Sequence, residues 1–175
     1  MMDMDPSKQL DLESLIIDKL QGRITLLQPE KEKEAAVLEG LEAILKSDQG
    51  TAFRGEFEAS PPENMIQMVK NFLSYGLIDD LMGDSEVEDI IINSLKTIYI
   101  HHAQRGFVST GKRFSNHKEL NVFIRKLLLL AGRDGQIKKI LNLELPNLAG
   151  RVNIAMSSFG PQLTDVHFSV VPFLL

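Results

Sequence analysis

Cysteine is missing from all 175 residues, which excludes a disulfide framework and a cysteine-bearing zinc site and fits a reducing compartment. Long apolar runs are missing as well. The longest, such as 127–131, falls far short of the roughly 20 residues needed to span a bilayer, so no transmembrane segment is expected. The start, 1–8, is acidic and polar and does not read as a secretory signal. Basic residues are outnumbered, 19 Lys and Arg against 24 Asp and Glu, for a net charge of −5. Phosphate neutralisation dominates nucleic-acid affinity, so no nucleic-acid partner is expected. The few histidines and scattered serines offer no nucleophile–base pairing, and no triad is argued from them. A cytoplasmic protein is the simplest reading.

What is present suffices for a packed core, with 43% hydrophobic and 25% charged residues. The charge is uneven: 1–75 hold 8 basic and 14 acidic side chains, 76–175 hold 11 and 10. Two regions with different surfaces are therefore expected, a helical bundle over 1–75 and an α+β domain over 76–175.

In the first region, apolar residues at 12, 15, 16, 20, 24 and 27 keep helical spacing over 10–27. Pro29 can open a second helix over 30–46, whose early Glu and Lys run reads as a solvated face. The stretch 47–60, with Gly50 and Gly55, reads as a linker and as the most protease-sensitive interior segment. Ser60-Pro61-Pro62-Glu63 signals the start of a third helix, which Gly76 can end. Its methionines read as core filler.

The second region opens with a short helix over 77–82. Three β-rich runs follow at 89–93, 97–101 and 106–110, spaced as an antiparallel meander. A helix capped near 115–117 reaches about Ala131, with Gly132 as its stop. Three more strands are read at 140–145, 151–156 and 166–171.

Residues 76–93, GLIDDLMGDSEVEDIIIN, resemble a block of the type II/type IV secretion and pilus-assembly ATPases. A strand like 98–100, a turn ending in glycine, a strand like 106–110 and the pair Phe114-Ser115 follow in the family's order. Leu145-Pro146 and Gly150-Arg151-Val152-Asn153 then match its "leucine-proline-x-glycine-x-arginine-valine-asparagine", with one or two inserted residues. The resemblance covers about 70–175 and is closest to the Tad/Flp-pilus branch. It implies a PAS-like domain with a mostly antiparallel sheet of about six strands packed by helices, behind a three-helix appendage. It further implies a non-catalytic N-terminal domain that stands before a RecA-like motor domain in a hexameric ring, with nucleotide between the two. The implied partners are that motor domain or other subunits of the ring, and the secretion or pilus platform proteins at the inner membrane, where the protein would be peripheral. The chain itself is expected to be no enzyme and to hold no cofactor, ATP and magnesium entering only with a motor domain. Two departures stand out: Ser169 lies about where the family's closing strand carries arginine, and 136–142 differ from its acidic, proline-containing segment. A standalone regulatory or adaptor relative is the alternative.

Arg151 is the candidate phosphate contact, since a guanidinium grips phosphate with two parallel bonds and Gly150 permits close approach. The other reading is a turn arginine paired with Glu144. Arg133 is a second candidate, with helix C-terminal charge compensation as its alternative. Residues 106–113, GFVSTGKR, meet seven positions of the phosphate-loop pattern, but Arg113 stands where a magnesium-binding hydroxyl is required. His101 and His102, adjacent on a strand, face opposite sides, so no metal site is expected. The acids at 79, 80, 84, 86, 88 and 89 read as a solvated surface or as a docking patch for a basic partner.

Overall fold

The structure is a computed structural model. It describes residues 4–60 and 62–133, and the backbone of three further strands within 140–170. Helices α1 (Pro6–Leu20), α2 (Glu30–Lys46), α3 (Arg54–Glu58) and α4 (Pro62–Leu73) come first. The short α5 (Asp79–Met82) leads into β1 (Val87–Ile92), β2 (Tyr99–His102) and β3 (Gly106–Ser109). Then come α6 (His117–Leu130), β4 (Ile140–Glu144), β5 (Gly150–Met156) and β6 (Leu163–Val170). Among the described residues no helix is long and apolar enough to cross a membrane.

The class is α+β, but the detailed layout departs from the expected one. The sheet whose side-chain packing is described is a three-stranded antiparallel meander, β3-β2-β1, not a PAS-like layer of about six strands packed by helices. Backbone pairing continues from β1 to β6 and on to β5 and β4, all antiparallel, so α6 links two meanders. Nor is there a three-helix appendage. Residues 47–60, read as a linker, hold a 3-10 turn at Asp48–Gly50 and then α3. The Arg54 guanidinium donates to the carbonyls of Leu45 and Ser47 at 2.6 and 2.7 Å, closing the end of α2, and Phe53 is buried. These bonds satisfy carbonyls that a helix end leaves without partners.

Helix α6 carries apolar residues on two faces. Leu120, Phe123, Ile124, Leu127 and Leu128 pack under the sheet with Ile78, Ile90, Ile92 and Ile98. Val122 and Leu129 face the other way, into a core of Leu12, Ile16, Val37, Leu41, Met68 and Phe72. Lys33, part of the run read as a solvated face, is buried and reaches the Leu26 carbonyl at 3.4 Å.

Helix α6 has a defined start and stop. Asn116 accepts the Glu119 N–H at 2.9 Å, while Glu119 accepts the Ser115 N–H at 2.6 Å. At the other end the N–H groups of Gly132 and Arg133 return to the carbonyls of Leu129 and Leu128. That motif puts Gly132 at φ +67°, a conformation open to glycine. A Cβ there would lie 3.2 Å from the Leu26 nitrogen, in the loop between α1 and α2. Gly132→Ala should therefore cost about 1–2 kcal/mol in chemical denaturation, chiefly for the left-handed conformation.

Candidate functional site

Helices α1 and α6 lie side by side and run in the same direction. Lys118 pairs with Asp11 at 2.7 Å, and seven residues further along each helix Arg125 pairs with Asp18 and donates to Ser14 Oγ at 2.7 Å. Both helices therefore start at the same end of the molecule. Asp5 caps α1 by accepting the N–H groups of Ser7 and Lys8, and Pro6 occupies the first helical position. The two starts, the end of α4 and the turn at Gly76 enclose a cleft of about 740 Å³.

Lys126 lines this cleft and is only 4% exposed. Its Nζ stands 5.9 Å from the centroid of the Phe72 ring, within cation–π range. Among the described residues it makes no hydrogen bond and no ion pair, yet no buried side-chain nitrogen or oxygen lacks a partner. The ammonium therefore keeps access to the cleft. Burial holds its pKa below the ordinary lysine value, against the opposing fields of Glu13 and Asp79. Burial, then the Asp79 charge, pushes the Tyr75 phenol up to about 12.

Sequence reading passed over Lys126, because a lysine inside an apolar helix reads as a gap in the core face. Its spacing carried a signal: Val122, Lys126 and Leu129 form a second stripe at i, i+4 and i+7.

The phosphate-loop-like segment is strand β3 and the turn after it. The Thr110 N–H donates to the Ile98 carbonyl at 3.0 Å, and the Lys112 N–H to the Thr110 hydroxyl at 3.1 Å. Lys112 Nζ pairs with Asp80 at 3.0 Å, and this bond holds the Asp80 carboxyl below its usual range. Helix α6 starts only at His117, so amides and lysine are turned to local partners rather than to a phosphate.

The two histidines use different carboxylates. His101 Nδ1 lies 2.6 Å from Glu88, and His102 Nε2 lies 3.1 Å from Glu86. Asp84, Glu86 and His102 place potential ligand atoms within 4.8 Å of one another. His102 Nδ1, however, accepts the Gln104 N–H at 3.2 Å, which leaves the proton on Nε2, facing Glu86. In that tautomer the imidazole has no lone pair to offer a cation between the carboxylates. The remaining acids of the cluster also have local work: Asp79 accepts the Tyr75 N–H and Asp84 the Glu86 N–H, both at 2.9 Å.

Arg133 is exposed and follows the α6 stop. Arg151 is not in a turn. It is the second residue of β5, opposite Glu144 of β4 and Ser169 of β6 in the strand register. The Leu145-Pro146 pair and residues 136–139 lie outside the described residues. No protein-family model and no curated protein matches the chain.

Proposed function

We propose that this chain is a non-catalytic binding and coupling module of the kind that precedes the motor domain in secretion and type IV (Tad/Flp) pilus-assembly ATPases. The observation that carries the reading is the order and spacing of the sequence blocks from Gly76 to Asn153, which resemble that family. The commitment of Lys112 to Asp80 supports a non-catalytic role, since it removes the one lysine that a phosphate loop here would use. In this role the chain contributes to nucleotide-dependent assembly of a ring and docks partners at a secretion or pilus platform in the cytoplasm. Arg151 and Arg133 are its phosphate contacts, and ATP and magnesium enter with the motor domain. One observation favours a second reading, an adaptor without a motor: Ser169 stands where the family has arginine.

The purified chain should show no ATP turnover above a blank. Turnover that survives repurification and is lost in Lys112→Ala would overturn the non-catalytic reading. With the cognate motor domain added, Arg151→Ala should weaken nucleotide or motor-domain binding by about 1.5–3 kcal/mol, the usual worth of a hydrogen bond to a charged group. Its melting temperature should hardly move, and Arg151→Lys should restore part of the loss. If Arg151→Ala instead unfolds the protein while the surviving folded fraction binds normally, Arg151 serves the fold and the site assignment fails.

A further inference from the structure

The charged groups lining the cleft between α1 and α6 are unequally served. Asp5 holds two amide N–H groups, Glu119 holds the Ser115 N–H, Glu13 accepts from the Gln9 amide at 3.2 Å, and Lys118 pairs with Asp11. Lys126 alone among them has no hydrogen-bond partner in the described residues, although it is the most deeply buried of the five. The positive ends of two helices, of 15 and 14 residues, open toward the same space. Leu10, Leu77, Val122 and Phe123 give that space apolar walls.

We propose that this cleft binds a small monocarboxylate with a short apolar body, its carboxylate on the Lys126 ammonium and its body against Leu10, Leu77 and Phe123. A carboxylate supplies the charge-assisted partner that Lys126 lacks. The walls suit an organic body, since ligand sites combine apolar surface with a few placed polar groups. The three carboxylates already in the cleft set the charge of the ligand. A multiply charged phosphate would meet more repulsion from Asp5, Glu13 and Glu119 than a ligand carrying a single negative charge. The site is separate from Arg151 and Arg133 and does not depend on the coupling role.

The test is isothermal titration calorimetry on the full chain at neutral pH, with sodium hexanoate and, separately, inorganic phosphate. Hexanoate should bind saturably and more tightly than phosphate. Lys126→Met, which keeps the length of the side chain and removes its charge, should weaken hexanoate binding about ten- to a hundredfold. Ser115→Trp, which leaves the lysine in place and obstructs the rim, should weaken it as well. Circular dichroism on both variants establishes that they are folded, and if one is not, the other decides. The proposal is overturned if the wild-type chain shows no saturable hexanoate binding, if phosphate binds more tightly, or if a folded variant binds hexanoate as well as wild type does.

Discussion

Phe72→Ala should lower stability by about 3–5 kcal/mol, the usual range for emptying a fully buried phenylalanine site. Phe72 has no exposed surface and lies in the core shared by α1, α2, α4 and α6. Its ring also serves as the apolar surface beneath Lys126. Truncation removes the ring and leaves a buried ammonium above a void, so the two losses fall on one variant. In a domain of this size each kcal/mol corresponds to about 2–4 °C, and a drop on the order of 10 °C or more in melting temperature is the expected reading. Phe72→Leu keeps most of the volume and loses the ring face; a loss below about 1.5 kcal/mol is expected. Equal losses for the two variants would mean that volume is not what Phe72 contributes.

Gly50→Ala should be comparably severe, at about 3 kcal/mol or more, beyond the ordinary cost of overpacking. The chain doubles back on the end of α2 so closely that a Cβ on Gly50 would lie 2.1 Å from the Ile44 carbonyl oxygen and 2.6 Å from the Leu45 Cα. Both obstacles are backbone atoms and cannot rotate aside. Relief requires lifting the turn off α2, which would pull Arg54 from the two carbonyls it closes and draw Phe53 out of the core. Gly55, five residues on in α3, is the control. Nothing lies within 4 Å of its Cβ position, and Gly55→Ala should be neutral or gain up to about 1 kcal/mol through helix propensity. Urea denaturation of the two alanine variants makes the comparison, and similar stabilities for both would remove the close-approach argument.

These glycines also mark how far the sequence could be read. Helices α1, α2, α4 and α6 and strands β1–β3 follow from periodicity and end signals, which are local properties: Pro29 before α2, Asn116 before α6, Gly132 after it. The 47–60 stretch has two glycines and little periodicity, and local reading makes it a linker. Its order comes from contacts seven and nine residues back, Arg54 on Ser47 and Leu45, and from Gly50 lying on α2, neither of which leaves a pattern in the chain. The expectation of easy cleavage there loses its basis once those bonds are seen. The same limit applies to the site. The missing hydroxyl at Arg113 argued against a phosphate loop, but the pairing of Lys112 with Asp80 links residues 32 positions apart and shows only in the fold. The strand read at 151–156 is β5, and its register sets Arg151 within a strand opposite Glu144, which the alternative reading of Arg151 as a turn residue did not foresee. Lys126 hid in a helix whose apolar residues outnumber what one face needs, because the second face became meaningful only once α1 was laid against it.

Helix α6 has a consequence for how the molecule comes apart. Its 14 residues supply side chains to both hydrophobic cores, so neither core can be opened without loosening the other. The cleavage plane that a two-part chain would offer between its helical and sheet-bearing halves runs through the interior of a single rod. Amide protons in the middle of α6 can exchange with solvent only when both sides are lost together, which makes them reporters of global rather than local opening.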